Sequence, residues 1–292
     1  MLTQTPKELE KNYIEIKPIF SEGSIEVYEV IDSSGNSFAL KLYKIRKFFK
    51  KIIKEIQIGI YLNNQKGIET SFIKYITSET DINSKYTFII YELAQKYTLK
   101  DKLLSRKYFD EKLSKIIFWD IGHKINNLHK IGIAHMNLNL ENILLDYNYN
   151  IKIAGFSSAE FIIDKQDGIK EDIFQLGVIL LQLISGKCDK KILEDKWLKI
   201  IKKGDYEFFW NMIEIGSNKE FSNEIKELIN IMLSIKLPNG QEWTLDEILN
   251  KQEWFDSINS VENNNYMIET FKQIEGLDWY SWLMKYINKF LI

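Results

Sequence analysis

Apolar and polar positions alternate with period two from Tyr13 to Tyr43, in the runs YIEIKPIF, VYEVI and FALKLYK. That spacing predicts half-buried strands, and the turn-rich DSSGN around Gly35 predicts a hairpin between the last two. The pattern then changes. Ile45, Phe48, Phe49, Ile52, Ile53, Ile56 and Ile60 recur at helical spacing, and Tyr86 to Leu93 (YTFIIYEL) returns to a short β-prone run. From Leu103 onward helices are predicted, with apolar residues three or four apart over Leu113–Leu128, Asp172–Ile184, Phe209–Ile215 and Ile225–Leu237. Two β-like pieces, Asn142–Leu145 and Ile151–Ala154, flank the turn-rich DYNYN. After Trp254 the polar SINSVENNNY predicts a linker, and Trp279, Leu283, Tyr286, Ile287 and Phe290 predict one face of a final helix. Strands with one helix followed by a mainly helical part make an α+β chain.

Composition narrows this reading little. A chain of 292 residues, 45% apolar and 27% charged, can bury the core of one large domain. Its 39 Lys and Arg nearly balance 41 Asp and Glu, so no nucleic-acid partner is expected. Arg46 and Arg106 are the only arginines, which argues against bidentate phosphate clamps. The lone Cys188 cannot form an internal disulfide and MLTQTPKELEKN lacks the apolar stretch of a secretory signal, so a cytoplasmic or other intracellular setting is expected. The longest apolar run, Val178 to Ile184, is far short of the ~20 residues that span a bilayer, so no transmembrane segment is expected.

The segment IAHMNLNLENILLD (Ile133 to Asp146), followed by IKIAGFSSAE, resembles the catalytic loop and magnesium loop of the eukaryotic protein-kinase family. DIFQLGVILLQLISGK (Asp172 to Lys187) resembles the helix that anchors that family's large lobe, and FALK (Phe38 to Lys41), EIQIGIYL (Glu55 to Leu62) and IYELA (Ile90 to Ala94) follow in the family's order. The resemblance implies a bilobal fold over residues 10–255. A small antiparallel β lobe with one helix is expected over about 10–92 and a larger, mainly α-helical lobe over 93–255, with 256–292 a linker and an amphipathic helical extension.

The same resemblance implies that chemistry has been lost. The position of the family's general base, which contributes roughly 10²- to 10⁴-fold in rate, is Asn137, and an amide cannot take up that proton and stay neutral. About 3 to 5 kcal/mol of barrier lowering is thereby unavailable. The position of the metal-binding Asp is Gly155, leaving magnesium only the neutral Asn142. The glycine-rich turn keeps only Gly23, with Ser21 at the first glycine position, and is one residue short before Val27. About fifteen residues between Ser157 and Glu171 replace an activation segment usually twice as long, and no APE-like triplet follows. Met136 replaces the loop arginine, and Glu242 stands where an arginine near the end of the domain would be.

Other positions are kept. Period two puts Ala39 and Lys41 on one strand face, Val27 and Leu144 match the other adenine-contacting positions, and Glu55 is placed to pair with Lys41. The cofactor-binding set is thus Lys41, Glu55, Val27, Ala39, Leu144 and Asn142, taking ATP or ADP without magnesium, with no cofactor required. The Lys41–Glu55 pair can equally be structural, and Tyr91 can fill the space left by Gly59 and close the pocket. Asp172 is expected to hold the catalytic loop's backbone, and His129, His135 and Phe156 to be packed in the core, while the isolated His123 is not read as a metal ligand. An inactive kinase-like regulator or scaffold is expected, with a kinase or another signalling protein as partner. The alternative is phosphotransfer through other carboxylates such as Glu141, Glu160 or Asp164.

Overall fold

The computed structural model describes residues 13–23, 25–44, 49–81, 86–94, 97–162, 167–186, 200–201, 204–234, 243–251, 255 and 262–276. The chain divides into two compact units, residues 1–96 with 152–159 and residues 97–151 with 160–292.

In the first unit β1 (Glu15–Glu22), β2 (Ile25–Ile31), β3 (Ser37–Lys44), β4 (Tyr75–Asp81) and β5 (Tyr86–Glu92) form an antiparallel sheet in the order β1-β2-β3-β5-β4. Tyr28, Val30, Leu40, Leu42 and Ile90 are buried together, with Phe38 and Phe88 packed against them. Val30, Leu40, Leu42 and Ile90, all but fully buried, contribute roughly 1.5–3 kcal/mol each by leaving water. The β2–β3 hairpin closes as predicted. Asp32 Oδ1 accepts from the N–H groups of Ser34 and Asn36, both at 2.9 Å, and Gly35 takes φ +83°. Helix α1 (Phe49–Asn63) buries Ile52, Glu55, Ile58, Gly59 and Leu62 on one face. Strand β4 is the element the pattern missed: YITSETD is mostly polar because it lies at the sheet edge, with one side unpaired. Residues 152–159 complete the unit, Ile73 N–H donating to the Ile153 carbonyl at 2.9 Å and Ile153 N–H to that of Ser71 at 3.0 Å.

The second unit is mainly helical. It contains β6 (Tyr97–Thr98), α2 (Leu99–Arg106), α3 (Glu111–Lys130), β7 (Ile133–Ala134), β8 (Ile143–Leu145), the start of β9 (Ile151–Ile153), β10 (Glu160–Phe161), α4 (Asp167–Ser185), α5 (Tyr206–Ser217), α6 (Asn223–Ser234) and α7 (Leu245–Leu249). Thr98 and Asp101 form a capping box on α2, and the Asp110 side chain caps α3 through Leu113 N–H. Helix α4 is buried at nearly every position from Asp172 to Ser185, which explains the apolar run at its centre. The predicted helix over Ile225–Leu237 is seen to Ser234, and its last three residues lie outside the described ones.

Residues 262–276 form a further helix, α8. SINSVENNNY, whose polarity predicts a linker, is therefore not all linker: residues 262–266 are the start of α8, and residues 257–261 lie outside the described ones. The polar run is helical because only one face is buried, through Asn263, Met267, Phe271 and Ile274. Phe271 packs edge-on against Phe109 at 6.1 Å and stacks on Tyr149 at 6.2 Å. Glu275 pairs with Lys102, whose side chain is 1% exposed, at 3.0 Å and accepts from the Tyr149 hydroxyl at 2.5 Å. The predicted final helix carrying Trp279 to Phe290 lies outside the described residues. Among the described residues no helix is long and apolar enough to cross a membrane.

Candidate functional site

Strand register and helix α1 together bring four of the six predicted cofactor-binding residues together in the first unit. Val27 pairs with Lys41 across β2 and β3, and Ala39 lies two residues before Lys41, so all three share a sheet face. Tyr43 follows two residues later, and Tyr91 of β5 lies opposite Ala39 on the same face. Glu55 arrives from the buried side of α1, and Lys41 Nζ meets its carboxylate at 2.8 and 3.1 Å.

Two further donors complete this cluster. Tyr91 donates its hydroxyl to Glu55 Oε1 at 2.9 Å, and the Tyr43 hydroxyl donates to Oε2. Lys41 Nζ also lies 5.0 Å from the centre of the Tyr43 ring. Glu55 is 2% exposed and Lys41 16%, so a buried carboxylate is held by one cation and two hydroxyls. Burial, followed by the charge of Glu55, holds both tyrosine hydroxyls well above the ordinary tyrosine range, and they stay donors at neutral pH.

Here Tyr91 departs from expectation. A Cβ on Gly59 would lie 2.9 Å from Tyr75 Cβ, so Tyr75 occupies the space beside Gly59. Tyr91 packs edge-on against Tyr75 at 6.3 Å and points its hydroxyl at Glu55, since a buried O–H needs an acceptor. On the sequence alone Tyr91 reads as bulk and Tyr43 does not stand out. The signal for Tyr43 was its place two residues after Lys41.

Asn142 and Leu144 belong to the second unit. Leu144 is half-buried on β8 opposite Thr98. The loop from β7 to Asn142 hangs from α4: Asp172, fully buried, accepts from the N–H groups of His135 and Met136, each at 2.7 Å, and lies 2.8 Å from His129 Nε2. This is the backbone-holding role expected of Asp172, and it supports Met136 at φ +63°. Gln175 adds a second tie, accepting from Leu138 N–H at 2.5 Å. Within the loop, Asn139 Oδ1 accepts from Glu141 and Asn142 N–H at 2.9 and 3.0 Å. The Asn142 amide donates to the Asn137 carbonyl at 2.8 Å, and the Asn139 amide reaches the same oxygen at 3.2 Å.

The chemistry of these donors is a poor match to magnesium, a hard cation that favours carboxylates. Asn142 offers one neutral oxygen, Gly155 has no side chain, and among the described residues no three His, Cys, Asp or Glu side chains converge. Gly155 sits at φ +85°, in the left-handed region, and leads into a 3-10 turn at Phe156–Ser158. Phe156 is buried edge-on to Phe72 at 5.8 Å, a core role as expected.

The segment that follows is shorter than expected. Helix α4 already starts at Asp167, so only residues 159–166 lie between it and the turn, and β10 pairs with β7 on the way. A Cβ on Gly168 would lie 2.7 Å from Ala134 Cβ and 3.2 Å from Met136 Sδ. The first turn of α4 therefore rests directly on the loop. Of the alternative carboxylates, Glu141 is paired with Lys100, Glu160 is exposed on β10, and Asp164 lies outside the described residues, as does Glu242.

Residues 20–167 match the model of the protein kinase domain. The chain is 28% identical over 203 residues to the serine/threonine-protein kinase chk1 of Schizosaccharomyces pombe, covering 58% of this chain and 38% of that protein. It is 26% identical over 243 residues to the cell cycle serine/threonine-protein kinase CDC5/MSD2 of Saccharomyces cerevisiae (73% and 32%), and 25% identical over 276 residues to a probable CDC5 homolog of Encephalitozoon cuniculi (82% and 55%). The chain thus spans 38%, 32% and 55% of these relatives' lengths. With its antiparallel sheet unit and its larger helical unit, the chain belongs to the protein kinase domain family.

Proposed function

We propose that this kinase-domain protein does not transfer phosphate and acts by being bound, as a regulatory or scaffolding partner of a kinase or another signalling protein. The observation that carries this reading is the state of the loop. Asn137, whose side-chain amide has no basic oxygen, stands at the general-base position, and Gly155 offers no ligand where the family binds magnesium. The short run from the 3-10 turn to α4, with Gly168 seated on Ala134, supports it by leaving little chain for a peptide-binding segment.

The role requires no cofactor. ATP or ADP, where bound, is held without magnesium through Lys41, which is 16% exposed and already seated by Glu55. The test is a thermal melt with ATP, ADP and no nucleotide, with and without magnesium, on wild type and Lys41→Met. Nucleotide at 100 times its dissociation constant stabilises by about 2.7 kcal/mol, a shift of several degrees. The expected shift is equal with and without magnesium and absent in Lys41→Met. A shift that requires magnesium would overturn the reading, and no shift at all would leave a scaffold that takes no nucleotide.

A further inference from the structure

Helix α1 has two apolar faces. Ile52, Glu55, Ile58, Gly59 and Leu62 face inward. Phe49, Ile53, Ile56 and Ile60 follow one another at intervals of four, three and four residues, the spacing of a d-a-d-a heptad seam. Phe49 is 54% exposed, Ile53 38% and Ile60 46%, with Ile56 half-buried. On β4, in the same unit, Ile76 is 40% exposed. Three exposed large apolar side chains in one row on a single helix, with the half-buried Ile56 between them, are a feature of contact surfaces.

The sequence that leads into α1 and through its first six residues is basic. Residues 44–54, KIRKFFKKIIK, carry six cations and no acid. Within α1, Lys50 and Lys51 are exposed, and the first turn holds no acidic residue. Cations at a helix N-terminus oppose the macrodipole, so this end of the helix favours anions supplied from elsewhere. Lys50 occupies the e position bordering the seam, where coiled-coil partners place opposite charge.

We propose that the outer face of α1 (Phe49, Ile53, Ile56 and Ile60, bordered by Lys50) is the docking surface for an amphipathic helix of a protein partner whose apolar stripe is flanked by carboxylates. The two-in-seven spacing favours a helix over a lipid surface, which calls for a broader apolar arc than α1 has left beside its inward face. The inference deepens the proposed function and rests only on its partner-binding part.

The experiment uses the full chain and a fluorescent helical peptide with Leu and Ile at a and d and Glu at e and g, whose like charges oppose its own dimerisation. A peptide with Lys at e and g and phosphatidylserine vesicles serve as controls, and sedimentation of the chain alone reports self-association. The Glu peptide is expected to bind, to weaken at least 10-fold with Ile53→Ser/Ile60→Ser, and to lose out to the Lys peptide with Lys50→Glu/Lys51→Glu. Both variants change exposed residues and should melt within about 2 °C of wild type, and Ile53→Ser alone serves if the double variant does not fold. The proposal is overturned by no peptide binding up to about 1 mM, by equal binding to the seam variant, by equal binding of the two peptides, by binding to vesicles alone, or by self-association lost in the seam variant. None of these outcomes depends on phosphotransfer or nucleotide binding, so they do not bear on that part of the proposed function.

Discussion

The side-chain amide of Asn142 donates to the main-chain carbonyl of Asn137 at 2.8 Å, joining the position where a metal ligand is expected to the position where a base is expected. In this loop both positions are amides, and one is hydrogen-bonded to the other's backbone.

On the proposed function, a carboxylate placed at position 137 alone should not give phosphate transfer. Asn137→Asp is expected to remain at the level of Lys41→Met in a radiolabel transfer assay with magnesium or manganese, because Gly155 still supplies no carboxylate. Transfer by the single variant would show that metal can be held by residues not identified in this loop.

Asp172 should matter for stability out of proportion to its size. Its removal as Asp172→Ala leaves the N–H groups of His135 and Met136 without their acceptor in a buried site, at about 1–3 kcal/mol each. Denaturant melts should show a loss of roughly 2–6 kcal/mol on that basis. A change below 1 kcal/mol would mean that Gln175 alone suffices to hold the loop.

The pair of Lys102 and Glu275 should be strongly asymmetric. Glu275→Gln leaves a buried cation without its counter-charge, at about 3–5 kcal/mol, whereas Lys102→Met/Glu275→Leu is expected to cost much less. A double-mutant cycle by chemical denaturation checks this. Equal losses would mean that the ammonium reaches water.

Alkaline pH should loosen the first unit. The hydroxyls of Tyr43 and Tyr91 are raised in the folded protein, while in the unfolded chain they ionise near 10. The unfolded state releases protons first, so this contribution is full below about pH 10 and is lost as pH rises beyond it. Tyr43→Phe should be less stable at neutral pH by about 1–3 kcal/mol, since Glu55 loses a donor, and should fall less steeply above pH 10. Parallel slopes for variant and wild type would contradict the assignment.

What was legible in the sequence follows from what periodicity encodes. Alternation assigns faces, so Val27, Ala39 and Lys41 could be put on one side of the sheet, and the family pattern added Glu55 and the loop-holding role of Asp172. Periodicity does not say which distant side chains meet. The Tyr91 hydroxyl reaching Glu55 and the ring of Tyr75 filling the space at Gly59 both depend on how α1 lies on the strands. Strand β4 was invisible because an edge strand with polar residues carries little hydrophobic signal. The start of α8 was hidden for a related reason: ENNNY buries only Asn263 deeply, and the residues that hold the helix, Met267, Phe271 and Ile274, come later. The close seating of Gly168 on Ala134 had no signal beyond the glycine itself.

The most direct measurement is phosphate transfer from radiolabelled ATP to the chain itself and to a generic Ser/Thr substrate, with magnesium and with manganese, in wild type and Lys41→Met. With Asn137 and Gly155 at the two chemical positions, incorporation is expected to be the same in both proteins and equal to a boiled control. Incorporation well above that control, and abolished by Lys41→Met, would mean that the chain is an active phosphotransferase and that the proposed function is wrong.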